Sequence, residues 1–149
     1  MLEEGERAPE VEALNQHGDS VKLNYDRPTV IYFYPEDGTP GCQTEAEQFQ
    51  RERETYRDAG VEVYGVSRDP VDSHRAFSEE LDLSFDLLAD PEGKIGGAFD
   101  VTFDQDRYDR MTFVVVDGRI HAVYEDVNPD GHARDVLMEM LEEGLVTLD

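Results

Sequence analysis

The chain predicts an α/β fold in which helices cover a mixed central sheet. Three observations predict it. Val30-Ile31-Tyr32-Phe33 is a fully apolar run that reads as a buried strand, and Val61 to Ser67 reads as a second. A helical pattern follows each of them. Met111 to Val116 and Arg119 to Tyr124 flank Asp117-Gly118, a strong hairpin turn, and a closing helical pattern comes after them. Strand-helix-strand units followed by a hairpin and a final helix point to a mixed central sheet covered by helices.

The elements follow in order. Pro9 to Leu14 and Val21 to Leu23 alternate weakly around Asn15-Gln16-His17-Gly18-Asp19, which predicts a short N-terminal hairpin. Thr29 to Tyr34 is the central strand. A long helix is expected from Pro40 to about Ala59, with Thr39 at the N-cap and Pro40 at the first helical position. Cys42, Ala46, Phe49 and Tyr56 share its apolar stripe, Arg51, Arg53 and Arg57 suit its C-terminal half, and Gly60 stops it. A helix over Val71 to Leu83 follows the second strand, with Ala76, Phe77, Glu80 and Leu81 marking a mixed face. Phe85 to Leu88 reads as a short strand. Gly93, Gly96 and Gly97 keep any helix within Pro91 to Phe99 brief. Phe103 to Asp109 is polar and reads as a loop. Asp130 to Leu145 is the closing helix, with Val136, Leu137, Met140 and Leu141 on its apolar face.

At 149 residues, the expectation is one domain over residues 1–149, without repeats or linkers. No stretch approaches the ~18 apolar residues of a membrane span. The acidic start, Met1 to Glu6, lacks the basic opening and apolar centre of a signal peptide. A single cysteine excludes an internal disulfide framework and fits a reducing, cytoplasmic setting. The formal charge is −23, from 36 acidic against 13 basic residues. Such a surface repels nucleic acid and anionic membranes, so neither is an expected partner. The acidic residues are spread along the chain, not gathered in a tail. An ordinary acidic protein is one reading. The favoured one is adaptation to high salt, where a Debye length of ~3 Å screens the self-repulsion.

Cys42 is where chemistry concentrates. A strand delivers a lone thiol to the first turn of a helix, where backbone N–H groups and the dipole favour a thiolate. Pro35, Thr39 and Cys42 have a spacing that resembles the active-site motif of peroxiredoxins. The longer wording resembles the bacterioferritin-comigratory (PrxQ) branch: Phe33-Tyr34-Pro35, then Thr39-Pro40-Gly41-Cys42, then Glu45-Ala46. Gly65-Val66-Ser67, Ser73-His74 with Phe77, Leu87-Leu88 with Asp90, and Arg110 before Thr112-Phe113 agree with it. The resemblance implies a thioredoxin-like fold with an N-terminal hairpin. It also implies a peroxidase that uses a sulfenic acid on Cys42 and no cofactor.

Each candidate residue has two readings. Cys42 is either a buried core residue on its apolar stripe or the nucleophile, and the motif favours the nucleophile. Thr39 is an N-cap, and the resemblance adds a hydrogen bond from its hydroxyl to bound peroxide. Pro35 either ends the strand or shields the thiolate from water. Arg110 either pairs on the surface with Asp106 or Asp109 or, as the resemblance implies, contacts the thiolate and the peroxide. Glu45 either favours the helix N-terminus or, as in the family, orients Arg110 and so helps to bind substrate. Glu36, Asp37 and Glu45 oppose a thiolate, as nearby anions do.

Many relatives carry a resolving cysteine five residues after the first, where this chain has Glu47, or in the next helix, where Val71 to Leu83 has none. The sulfenic acid must then be reduced by an outside thiol, either a thioredoxin-like protein or a low-molecular-weight thiol. A monomer or weak dimer is expected. His17, His74, His121 and His132 show no metal-ligand spacing, so no metal is expected, and His74 reads as structural or surface. Gln48 stands where a phosphatase loop would need arginine. Two functions remain: a thiol peroxidase acting on hydrogen peroxide and alkyl hydroperoxides, or a non-enzymatic redox sensor that uses Cys42 oxidation.

Overall fold

The structure is a computed structural model and describes residues 2–148; Met1 and Asp149 lie outside the described residues. Its centre is a five-stranded sheet. The strands, in chain order, are β3 (Thr29–Phe33), β4 (Glu62–Ser67), β5 (Asp86–Ala89), β8 (Met111–Val116) and β9 (Arg119–Tyr124). Across the sheet the order is β5-β4-β3-β8-β9. β3, β4 and β5 run parallel, while β8 and β9 pair antiparallel, so the sheet is mixed as expected.

β3 lies in the middle, and all five of its residues are buried. Val30, Tyr32 and Tyr34 face one core, while Ile31 and Phe33 face the other. A strand covered on both sides needs apolar residues at consecutive positions, which is why its sequence does not alternate. The first core lies under α1 (Pro40–Arg51), α2 (Arg53–Asp58), α3 (Val71–Leu81) and α5 (His132–Glu142). The second lies under α4 (Lys94–Phe99), with Ala8, Val11 and Leu23 from the N-terminal region. Phe33, Phe99, Tyr108 and Phe113 meet there at centroid distances of 5.0–5.7 Å.

The expected N-terminal hairpin forms as β1 (Glu12–Leu14) and β2 (Ser20–Lys22). The turn at Asp117-Gly118 closes with both residues at positive φ, 54° and 75°. The long helix divides at Glu52 into α1 and α2. Glu52 N–H still donates to Gln48 C=O at 3.0 Å, and Tyr56 N–H donates to Glu52 C=O at 3.0 Å, so the chain continues in the same direction. Its stripe of Cys42, Ala46, Phe49 and Tyr56 is buried as expected.

Two expectations need correction. The stretch read as a loop contains a second hairpin, β6 (Phe103–Asp104) with β7 (Arg107–Tyr108). Its turn residues Gln105 and Asp106 both adopt positive φ, 51° and 64°. Glutamine is not a residue that advertises this conformation, so the turn carried no signal. On α3 the buried residues are His74, Phe77 and Ser78, whereas Ala76 and Glu80 are exposed. A histidine turns inward here because both of its ring nitrogens find partners in the interior.

Candidate active site

Cys42 reaches its position through three local features. β3 ends at Phe33, and Tyr34 N–H adds one more bond to Val66 C=O at 3.0 Å. The chain then turns through Gly38 at φ +83°. Thr39 takes the extended N-cap conformation, φ −77° and ψ 151°, with Pro40 following at the start of α1. Cys42 therefore lies in the first turn, 1 % exposed.

The helix start has no side-chain cap. Thr39 occupies the N-cap position, but its hydroxyl donates back to Glu36 C=O at 3.0 Å. That bond leaves the oxygen's lone pairs available to a hydrogen-bond donor. The N–H of Gln43 bonds to Thr39 C=O at 2.8 Å, while the N–H groups of Gly41 and Cys42 precede the first intrahelical bond. The positive end of α1 is thus open beside the sulfur.

Arg110 comes from just before the start of the neighbouring strand, β8. Phe33 pairs with Met111 across β3 and β8, so the residue before Met111 emerges at the end of the sheet where Tyr34 and Pro35 leave β3. Its guanidinium forks. Nη1 donates to Glu45 Oε1 at 2.7 Å, and Nη2 donates to Cys42 Sγ at 3.5 Å. The arginine side chain is 15 % exposed and the Glu45 side chain 0 %. The surface pairing considered for Arg110 does not occur. Asp106 pairs with Arg68 at 3.2 Å, and Asp109 accepts from Thr102.

Glu45 is the least solvated acid in the group. Burial pushes its carboxyl up to about 7, against the opposing pull of Arg110. Its second oxygen, Oε2, is buried without a hydrogen-bond partner among the described residues. Of the three acidic residues expected to oppose a thiolate, the other two are engaged elsewhere. Glu36 pairs with Arg107 at 2.7 Å, and Asp37 accepts from Tyr34 and Ser73 at 2.7 and 2.8 Å.

The structure therefore joins Cys42 and Glu45 through Arg110, with Pro35 and Thr39 on the adjoining loop. It also brings in residues that sequence reasoning did not single out. A Cβ on Gly41 would stand 3.0 Å from Arg110 Nη2, so the glycine makes room for the guanidinium. His132 lies on α5 with Nε2 2.8 Å from Thr112 Oγ1. Burial lowers its pKa to about 4, and Arg110 adds to that lowering against Asp135. The only signal for either was position: Gly41 next to the cysteine, and Thr112 two residues after the arginine.

The arrangement is suited to holding a sulfur nucleophile beside a fixed cation at a helix N-terminus. A cleft of about 220 Å³ lined by Arg27, Tyr56 and Asp86 among others does not include Cys42.

Residues 5–123 match the AhpC/TSA family. The chain is 35% identical to peroxiredoxin Bcp of Bacillus subtilis over 149 residues, covering 93% of this chain and 95% of that protein. It is 33% identical to a putative peroxiredoxin bcp of Coxiella burnetii, over 91% of this chain and 97% of that one. Its fold superposes on the crystal structure of peroxidoxin BcpB from Mycobacterium tuberculosis with a TM-score of 0.89, at 26% identity, covering 95% and 98% of the two chains. It superposes on the bacterioferritin comigratory protein of Xanthomonas campestris with a TM-score of 0.84, at 31% identity, covering 89% and 91%. With a thioredoxin-like sheet, one cysteine at the start of α1 and these relatives, the chain belongs to the AhpC/TSA family, in its Bcp/PrxQ peroxiredoxin branch.

Proposed function

We propose that Cys42 is the nucleophile of a thiol-dependent peroxidase recycled by an external thiol. The observation that carries this reading is the Arg110 fork, which joins Cys42 Sγ to the buried Glu45 at the open end of α1. The Cys42 thiolate attacks one oxygen of a hydroperoxide. An S–O bond forms, the O–O bond breaks, and the departing alkoxide or hydroxide takes up a proton to leave as alcohol or water. Arg110 holds the thiolate and meets the charge developing on the peroxide oxygens. The Thr39 hydroxyl accepts the proton-bearing end of the peroxide, and the N–H groups of Gly41 and Cys42 face the oxygen being transferred. Pro35 keeps water from the sulfur. Glu45 holds the guanidinium in register.

Recycling needs two thiols from outside. The first attacks the sulfenic sulfur, giving a mixed disulfide and water. The second releases the Cys42 thiolate and carries away the disulfide. The chain holds one cysteine, so no internal disulfide competes. The bacterioferritin comigratory protein of Xanthomonas campestris has alkyl peroxide reduction activity, which supports alkyl hydroperoxides as substrates beside hydrogen peroxide. We assign the donor to a thioredoxin-like protein or a low-molecular-weight thiol, and the working state to residues 1–149 as one cytoplasmic domain, monomeric or weakly dimeric. Among the described residues no helix is long and apolar enough to cross a membrane.

Mass spectrometry of the Cys42 peptide tests the scheme. Peroxide alone should add one oxygen and then a second, and a thiol donor should reverse the first addition only. A dominant Cys42–Cys42 dimer in place of these species would contradict it.

A further inference from the structure

The loop that carries Pro35 and Thr39 is tied down by a residue pair outside the Cys42–Arg110–Glu45 group. Asp37 lies mid-loop with its side chain 5 % exposed, and His74 of α3 is 0 % exposed. Asp37 Oδ2 stands 2.8 Å from His74 Nδ1 and accepts from Ser73 Oγ at 2.8 Å. Its other oxygen accepts from Tyr34 at 2.7 Å. Its backbone N–H donates to Asp69 Oδ2 at 2.9 Å, which also accepts from Ser67 Oγ at 2.6 Å.

Counting protons shows what holds the pair together. His74 Nε2 lies 3.1 Å from Leu88 C=O, and a carbonyl can only accept, so Nε2 carries hydrogen. The 2.8 Å gap between Nδ1 and Asp37 Oδ2 then requires a further proton, on the ring or on the carboxyl. The Tyr34 hydroxyl does not supply it, since its hydrogen is directed to Asp37 Oδ1; burial, then Asp37, holds this phenol well above its usual range and keeps it a donor. Without the proton, two buried acceptors would face each other at 2.8 Å, with only the Ser73 hydroxyl on Oδ2 and the Tyr34 oxygen 3.3 Å from Nδ1 beside them. The ligand atoms of Asp37, Asp69 and His74 lie within 4.8 Å of one another, as in a metal site, but each already has a hydrogen-bond partner.

We propose that Asp37 and His74 form a clamp, closed by one buried proton, that positions the Pro35–Thr39 loop against Cys42. The mechanical path is short. Asp37 fixes the loop, the neighbouring Glu36 C=O accepts from Thr39 Oγ1 at 3.0 Å, and Thr39 begins the helix that carries Cys42. Asp37 and His74 are positioning residues and touch no substrate. The titratable groups facing the pair are Tyr32 from β3, Tyr34 just after it and Asp69 from the β4–α3 connection, while β5 presents the Leu88 carbonyl. None of these is a cation, so the shared proton is what joins Asp37 to His74.

The effect on rate rests on Cys42 peroxidase chemistry; the effect on the loop does not. The test therefore pairs hydrogen exchange of the amides from Glu36 to Gly41 with single-turnover oxidation of Cys42 by hydrogen peroxide, in the wild type, Asp37→Ala and Asp37→Asn. Asp37→Ala should speed exchange and slow oxidation by about a hundredfold, the scale of a misplaced reacting group. Asp37→Asn should rescue both, because an amide N–H fills the same gap towards a neutral His74. Unchanged exchange in Asp37→Ala, faster exchange without slower oxidation, or an Asp37→Asn chain that behaves like Asp37→Ala would each overturn the clamp. A wild type that peroxide does not oxidise at Cys42 would defeat the functional reading instead, and exchange alone would still decide the clamp.

Discussion

Gly41 leaves open the space beside the Arg110 guanidinium that a side chain would crowd. A methyl group on Gly41 would stand 3.0 Å from Arg110 Nη2 and 3.6 Å from Pro129 Cγ. Gly41 lies in helical conformation within α1, so alanine suits the backbone and should favour the helix by up to ~1 kcal/mol. Gly41→Ala should therefore leave the melting temperature equal or higher while lowering the peroxidase rate by about tenfold, through displacement of the guanidinium. Thermal unfolding and peroxide consumption on the same sample check this. A rate equal to wild type would show that Nη2 need not stand where it does.

Arg110→Lys separates charge from shape. Lysine keeps the positive charge but cannot bond Glu45 and Cys42 at once with a planar fork. The rate should fall by about a hundredfold, comparable to losing one preorganised donor. Stopped-flow oxidation of the Cys42 thiol measures it. A lysine variant of full activity would remove Arg110 from the site.

Two buried groups give stability opposite pH dependences. Glu45 rises from an ordinary 4.5 to about 7 in the folded chain. Its contribution is fully present below pH 4.5 and is lost as pH climbs through 7. His132 falls from 6.5 to about 4, so its contribution is present above pH 6.5 and lost as pH drops towards 4. In the wild type the two oppose each other over the shared window. Glu45→Gln should leave the His132 slope, with stability rising from pH 4 to 6.5. His132→Gln should leave the Glu45 slope, with stability falling from pH 4.5 to 7. Denaturant midpoints against pH for both variants are the measurement, and parallel curves would contradict the assignment.

We attribute the charge of −23 to salt adaptation, and this makes a prediction about solvent. The compact state should be destabilised by self-repulsion at low ionic strength and recover as potassium chloride approaches molar concentrations. The melting temperature and the peroxidase rate should rise together. Stability that is flat or falling with salt would leave the composition as that of an ordinary acidic protein.

Legibility from sequence followed locality. Asp117-Gly118 announced its hairpin because both residues tolerate positive φ, whereas Gln105-Asp106 made the same kind of turn without the usual glycine. The apolar run from Val30 to Phe33 marked the central strand because a strand buried on both faces cannot alternate. Choosing the thioredoxin-like arrangement among layered folds needed the motif around Cys42, since period alone does not order strands. Within the proposed site, Cys42, Thr39 and Pro35 are readable as one local segment. Arg110 and Glu45 were named through resemblance, but their 2.7 Å contact and complete burial of the carboxylate depend on the β3–β8 register, which no local pattern encodes. Asp37 and His74 were missed as a pair for the same reason. Each looks ordinary alone, and only the fold places an acid 2.8 Å from a histidine thirty-seven positions away.

The central claim is that Cys42 turns over. Its most direct test counts moles of hydrogen peroxide consumed per mole of chain, with a thiol donor in excess, for the wild type and Cys42→Ser. The substitution changes one buried atom and breaks no disulfide, so the fold should survive. The wild type should consume many equivalents and the serine variant none above the thiol-only background. Consumption retained by Cys42→Ser, or a wild type that stops at about one equivalent as a sensor would, contradicts the account.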